Sequence, residues 1–285
     1  MPYTGGMDIV QRRVTVRPTL LVLILALAFL LVVYMRVLPW GGIDWRDYFR
    51  PASLALLRGA SPYTVDGFYS PPWTALLLAP LAVLPFDISR MVFLLGALTA
   101  FVYLPRRYGA SRLAGALFVL SPPAIAGLAT QNIDWLVLCG LLLPPRWGLF
   151  FVLMKPQTVG FVAIVWALEA WHADRLRGLR RLLWPVTLAT LASFALFGFW
   201  PAAASDLTHD TYWTSLWPIG VPFGLGLAVL ALQRRSERLA CVASPLLAPH
   251  VLMHSWVGAL LGVCDNTALM VAVVGGLWAV RLFMA

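Results

Sequence analysis

The sequence predicts an all-α, polytopic integral membrane protein that forms a single domain over residues 1–285. Three observations carry this prediction: 61% of the 285 residues are apolar, 12% are charged, and the mean hydropathy is +0.82. A soluble domain is nearer half apolar and about one quarter charged. Because the apolar runs have helical lengths and are separated by Pro, Gly and Arg, we expect a bundle of roughly 8–11 transmembrane or re-entrant helices.

The first apolar run, 19–38, follows a basic flank and is long enough to span a bilayer of about 30 Å. It is long for a signal-peptide core and lacks an A-x-A cleavage site. We therefore expect an uncleaved first transmembrane helix. An external loop over 39–71 and the remaining helices over 72–285 follow it.

The later apolar runs predict helices of unequal length, and several are too short to cross a bilayer alone. They are 72–85, 88–105, 111–128, 133–144, 147–170, 182–199, 218–233, 239–263 and 267–283. The run 147–170 is interrupted by Lys155-Pro156. Interrupted helices are tolerated at membrane depth where they are buried or line a cavity, so we expect this break to lie inside the bundle.

Arginines indicate the topology in a cell inner or plasma membrane. They cluster at 12–17, 106–112, 146, 175–181 and 234–238. The positive-inside rule assigns such clusters to the cytoplasm, together with the N-terminus. The polar stretches between them then meet at the extracytoplasmic face, provided that 72–85 dips in and returns or lies at the interface. We therefore attribute the net charge of +9 to arginines that set the membrane topology, and we expect no nucleic-acid partner.

The sequence shows no nucleotide, cofactor or metal motif: no P-loop, no GxGxxG, no HExxH and no CxxC pair. The three cysteines, Cys139, Cys241 and Cys264, share no metal-ligand spacing and are expected to pack in the core. We therefore expect no cofactor. Asp44 and Asp47 lie three residues apart, so a divalent ion bound between them stays open as an alternative.

Two acids stand where the first apolar run ends, in the stretch "GIDWRDY". Asp44 and Asp47 are either solvated loop acids that pair with Arg46 or Arg50, or one of them is a general base that takes a proton from a hydroxyl group. Composition alone leaves both interpretations open.

The stretch "DWRDYFRPASLALLRGASPYTVDGFYSPPW" resembles the first external loop of GT-C membrane glycosyltransferases, and within them the polyprenyl-phosphate-mannose-dependent glycosyltransferase family 87. Later pieces agree: "ATQNIDWLVL", "LMKPQT" and "ASPLLAPHVLMHSW" resemble, in family order, its G-Q-x-N, L-K-P and S-P-x-x-x-x-H segments. The matching positions are Asp44, Tyr48, Gly59, Pro62, Tyr63, Pro71, Pro72, Gln131, Lys155, Pro156, Ser244, Pro245 and His250. Thr130 stands where Gly is usual, Asp47 where a hydrophobic residue is usual, and the chain is short for the family.

The resemblance implies a GT-C-like bundle that transfers a hexose, with mannose expected, from a polyprenyl-phosphate donor to a lipid-linked or cell-envelope glycan acceptor. It implies inversion at the anomeric carbon with Asp44 as the general base, because the spacing to Tyr48 fits; Asp47 is the alternative. The leaving lipid phosphate requires positive charge or donors. Lys155 is the first candidate for that role and Arg46, Arg50 and His250 follow.

Further polar residues complete the predicted site. Tyr48, Gln131 and Asn132 are expected near the sugar or acceptor, although Asn132 also suits a helix cap. His209 and Asp210 lie in an external stretch rich in Trp and Tyr, which either stacks on sugar or forms an interfacial aromatic belt.

Two other functions fit part of the sequence. A transporter or lipid flippase would also use interrupted helices and an intramembrane lysine, although no inverted repeat is visible. A catalytically inactive GT-C-like scaffold would fit the short chain. Transport predicts dependence on an ion gradient, and a scaffold predicts that replacing Asp44 changes nothing.

Overall fold

A computed structural model describes residues 41–202 and 214–283, and within these ranges the secondary structure is helical with no β-strand. The all-α prediction is therefore confirmed for this part of the chain, whereas the predicted helix 19–38 lies outside it. The helices, in chain order, are α1 (Arg50–Leu57), α2 (Pro72–Ala82), α3 (Phe86–Arg107), α4 (Arg112–Val119), α5 (Pro122–Thr130), α6 (Asp134–Cys139), α7 (Pro145–Val152), α8 (Pro156–Val159), α9 (Phe161–Phe197), α10 (Val221–Arg234), α11 (Glu237–Leu247), α12 (Val257–Val263) and α13 (Thr267–Phe283). Single turns of other helix types are π-helical at Trp45–Phe49 and 3₁₀ at Pro62–Thr64, Gly140–Leu142 and Met253–Trp256.

Helix lengths bear directly on the expected membrane crossings. Among the described residues, α3 is the helix that is both long and apolar enough to span a bilayer, and α4 with α5 passes the same test as a pair bent by 47°. The helix α2 has 11 residues, which at 1.5 Å per residue is about 16 Å, half the thickness of the hydrocarbon core. The number of crossings stays a prediction.

Several predicted runs are broken where the sequence supplies a capping residue and proline. The run 111–128 divides at Ser121, whose hydroxyl accepts a hydrogen bond from the Ala124 backbone N–H and caps α5 ahead of Pro122. The run 147–170 divides at Lys155, whose backbone is not helical before Pro156, with φ −151° and ψ 77°. Inside α9, Asp174 and Arg175 have non-helical dihedrals, so this element is two consecutive helices joined at a kink.

The helix α3 separates two polar ends of the molecule. At its start, Trp45 Nε1 donates to Ser89 Oγ at 3.0 Å, which attaches the segment containing Asp44. At its end, the Tyr108 carbonyl accepts from Arg238 at 2.7 Å, which brings the arginines around 106 and 238 together. Ser89 and Tyr108 are 19 residues apart, or roughly 28 Å along a helix.

The outer surface between these ends carries many large apolar side chains. On α3, α9 and α10 the exposed ones include Ile88, Val92, Tyr103, Leu188, Leu191, Leu196, Phe223, Leu225 and Val229. Large exposed apolar side chains on several helices are expected where a protein contacts a membrane or another protein. The buried core beneath it is built from aromatic and aliphatic residues, among them Trp45, whose ring lies 5.3 Å from that of Phe93.

Candidate functional site

Four segments meet at the end of the molecule where α3 begins: the turn and π-helix after Gly42, the loop between α5 and α6, the break before α8, and the 3₁₀ turn before α12. Gly42 has a positive φ of 78°, and its N–H donates to the Ala129 carbonyl at 2.7 Å. A Cβ at this position would overlap the side-chain oxygen of Gln131. Glycine therefore allows the segment that carries Asp44 to lie directly against the end of α5.

The loop after α5 places Asn132 beside Asp44. Gln131 ends α5 in the left-handed conformation, with φ 57° and ψ 49°, a position that redirects the chain after a helix. Asn132 then donates from Nδ2 to Asp44 Oδ2 at 2.7 Å. Its Oδ1 accepts from the Ile133 N–H at 2.7 Å and from Lys155 Nζ at 2.9 Å.

The break before α8 brings Lys155 inside the protein, as the sequence predicts. Its side chain is 11% exposed, and Nζ also donates to Asp134 Oδ2 at 3.0 Å and lies 3.0 Å from His254 Nδ1. Lysine is almost never buried unless it is paired. Here the pairing carboxylate is Asp134, whose side chain is only 1% exposed.

Asp134 and His254 are the two residues of this site that sequence reasoning missed. Asp134 Oδ1 accepts from Thr158 Oγ1 at 2.7 Å, and its Oδ2 lies 2.8 Å from His254 Nδ1. The other ring nitrogen of His254, Nε2, lies 3.9 Å from Asp44 Oδ2. A signal existed for both, since each is an ionisable residue next to an apolar run.

Five side chains thus contact one another in a closed cycle, which we call the buried polar ring. Its members are Asp44, Asn132, Lys155, Asp134 and His254. Asp44 is its most accessible carboxylate, with a side chain 14% exposed. A general base must be accessible to substrate and also held in place by its neighbours. Asp44 meets both conditions, because it lies at the exposed edge of an otherwise enclosed set of charges.

Asp47 occupies a different environment. Its two carboxylate oxygens accept from Arg46 at 2.6 and 2.8 Å, and both side chains are more than one third exposed. These hydrogen bonds lower the pKa of Asp47, which makes it a weaker base. Arg50, the remaining charge of this stretch, stacks over the Phe86 ring at 5.6 Å and donates to the Leu84 carbonyl at 3.5 Å.

The other predicted site residues that the structure describes are not members of the buried polar ring. Gln131 donates to the Arg90 carbonyl at 3.1 Å and is fully buried. The Tyr48 ring packs against Gly67. His250 lies four residues before His254 and is half-buried. The histidine that belongs to the buried polar ring is His254. His209 and Asp210 lie outside the described residues.

Within residues 41–202 and 214–283, no group of three or more His, Cys, Asp or Glu side chains is arranged to hold a metal ion. In the buried polar ring, the Lys155 ammonium contacts Asp134 and His254, so the protein itself supplies a cation there.

Comparisons with protein-family models, curated proteins and solved structures gave no match for this chain. The resemblance to glycosyltransferase family 87 therefore stays a prediction.

Proposed function

We propose that this protein is an integral membrane glycosyltransferase of the inner or plasma membrane. It transfers a hexose, mannose in the first instance, from a polyprenyl-phosphate donor to a lipid-linked or cell-envelope glycan at the extracytoplasmic face. The observation that carries the proposal is the placement of Asp44: a partly exposed carboxylate on the edge of a buried polar ring, where the chain leaves its first apolar run.

The separation of charges supports a membrane location. The ring lies at the start of α3, and Arg106 and Arg107 lie at its end, about 25 Å away. That distance approaches the thickness of a hydrocarbon core, and arginines prefer the cytoplasmic side. Between the two ends, α3 exposes the large apolar side chains Val92 and Tyr103. With the N-terminus and the arginines in the cytoplasm, the ring faces the extracytoplasmic side.

The proposed reaction follows from the ring. The acceptor hydroxyl attacks the anomeric carbon, and Asp44 takes the hydroxyl proton as the new bond forms. On the opposite side, the bond between the anomeric carbon and the phosphate oxygen breaks, and the electron pair stays on the phosphate. A correctly placed base contributes about 10²–10⁴-fold to the rate. Asn132 fixes the carboxylate by its hydrogen bond at 2.7 Å.

Charge on the departing lipid phosphate requires a cation or donors nearby. Lys155 supplies a buried positive charge in the ring, although its ammonium already donates to Asn132 and Asp134. Arg50, half-buried over Phe86, and Arg46 are the further groups of this kind beside Asp44. We propose that Lys155 acts through its field while the arginines contact the phosphate.

The test is sugar transfer by the purified full chain in lipid nanodiscs. Radiolabelled decaprenyl- or undecaprenyl-phosphate-mannose is offered with a crude envelope-lipid acceptor, and wild type is compared with Asp44→Asn and Asp47→Asn. These two variants are matched in size and lie three residues apart. Transfer lost in Asp44→Asn and kept in Asp47→Asn supports the proposal. Absence of transfer by folded wild type with mannose, glucose and galactose donors contradicts it.

One observation favours a second candidate, a proton-coupled transporter of lipid-linked substrates. The pair Asp134–Lys155, contacted by His254, is a buried set of ionisable groups of the kind that forms proton relays in transporters. Proteoliposomes with an imposed pH gradient separate the two functions. Substrate movement that depends on the gradient, with no glycoside formed, identifies a transporter.

A further inference from the structure

We propose that His254, oriented by Asp134, receives the proton that Asp44 takes from the acceptor. This inference rests on the proposed function and adds to it a second proton-handling group within the same site. It arises from one geometric fact: the imidazole lies between two carboxylates, with Nδ1 on the buried one and Nε2 on the one that substrate can reach.

The contacts of Nδ1 indicate which nitrogen of the His254 imidazole carries the proton. An unprotonated Nδ1 would place its lone pair against Asp134 Oδ2, which is only 2.8 Å away. Lys155 does not require Nδ1 as an acceptor, because its ammonium donates to Asn132 Oδ1 and Asp134 Oδ2. A proton on Nδ1, donated to Asp134, is therefore the favoured arrangement. In neutral His254 the lone pair then lies on Nε2, the nitrogen that faces Asp44.

The proton moves in two steps. First, the acceptor O–H bond breaks, the oxygen bonds to the anomeric carbon, and the proton passes to Asp44. Second, the Asp44 carboxyl O–H bond breaks and the proton bonds to Nε2 of His254, which restores the Asp44 carboxylate. The departing phosphate keeps the electron pair of its broken bond. The imidazolium finally loses its proton to water, or to the lipid phosphate, whose second pKa lies near 6.

The charges that face His254 favour this transfer. Asp134 and Asp44 each place a carboxylate near one ring nitrogen, and they stabilise the imidazolium once it forms. Lys155 opposes it from the break before α8, 3.0 Å from Nδ1, but its charge is shared with the Asp134 carboxylate. The separation of 3.9 Å between Nε2 and Asp44 Oδ2 is longer than a hydrogen bond. A small side-chain rotation closes it when Asp44 carries a proton.

The test compares His254→Asn with His172→Asn in the nanodisc transfer assay. An asparagine amide at 254 still donates to Asp134, but it cannot accept a proton at neutral pH. His172 is an exposed histidine on α9 and serves as the matched control. We expect kcat to fall on the order of 10²-fold in His254→Asn, with KM little changed. Free imidazole should restore part of the activity to His254→Ala.

Wild type alone provides a second readout, independent of whether a variant folds. An imidazolium cannot accept a proton, so the kcat of wild type should fall as the pH of the assay is lowered. His254→Asn should show a lower kcat that does not change with this decrease in pH. A flat wild-type profile overturns the relay. So does full kcat in His254→Asn, and if Asp44→Asn is still inactive the proposed function stands without the relay.

Discussion

Asn132 binds Asp44 through its amide nitrogen, at 2.7 Å, and turns its amide oxygen toward Lys155, 2.9 Å away. The two ends of one side chain therefore connect the accessible carboxylate with the buried ammonium. A side-chain amide is a neutral group that donates at one end and accepts at the other. Asn132 thus orients Asp44 without neutralising it.

Replacing Asn132 tests this orientation. In Asn132→Asp the second carboxylate repels Asp44, and in Asn132→Leu the hydrogen bond is lost and the Ile133 N–H loses its acceptor. We expect both variants to lower kcat by at least about tenfold, since a misdirected base slows proton removal. Steady-state transfer kinetics measure the change. Asn266→Asp, at a position that caps α13, is the control, and we expect it to keep wild-type kcat. Full activity in Asn132→Leu would contradict the role.

Lys155→Met tests the buried ion pair. It leaves the Asp134 carboxylate buried without its cation, and breaking such a pair costs on the order of 3–5 kcal/mol. We expect a large loss of thermal stability in detergent, measured by the unfolding of the purified protein. The double variant Asp134→Leu, Lys155→Met removes both charges and should be more stable than Lys155→Met alone. A stability of Lys155→Met equal to that of wild type would contradict a stabilising role of the ion pair.

Gly42→Ala tests the close contact between the Asp44 segment and α5. A methyl group there overlaps Gln131, and the positive φ adds strain. Gly59 is a matched control because its φ is also 78°, while a methyl group on it would have no neighbouring atom within 4 Å. We expect Gly59→Ala to cost only the backbone strain, about 1 kcal/mol, and to keep transfer activity. Gly42→Ala should lose activity as well as stability; similar behaviour of both variants would contradict the close contact.

The topology is testable by cysteine labelling in intact cells, in a background without the three native cysteines. Ser61→Cys lies just after α1, in the loop that the sequence predicts to be external, and Arg107→Cys lies at the end of α3. We expect a membrane-impermeant maleimide to label position 61 in whole cells. Position 107 should react only after the membrane is permeabilised. Reversed labelling would place the ring in the cytoplasm and contradict an external donor lipid.

Sequence reasoning predicted the helical class and three members of the buried polar ring, Asp44, Asn132 and Lys155. These residues were identifiable because each is a polar side chain at a break between apolar runs. The sequence does not show which groups Asp44 and Asp47 contact, because both residues follow the same apolar run. Only the structure shows that Arg46 binds Asp47 and that Asn132 binds Asp44.

The missed residues have a different cause. His250 and His254 are four apart, a spacing that on a helix would place them on one face. The backbone at 248–252 is not helical, so this periodicity says nothing about which imidazole turns inward. Asp134 was overlooked because "QNID" also suits an ordinary start to a helix. Its partners Thr158 and Lys155 are more than 20 residues away, and no local pattern connects them.

Lys155 is the only lysine in the sequence. Its placement within the buried polar ring means that the folded protein presents almost no side-chain amine to the surrounding solution. Apart from the chain's α-amino group, an acylating reagent has a single nitrogen to modify, and that nitrogen is enclosed by Asn132, Asp134 and His254. Acylation of Lys155, counted separately from that of the α-amino group by peptide mass, therefore measures the fraction of molecules in which the buried polar ring has opened, without any engineered probe.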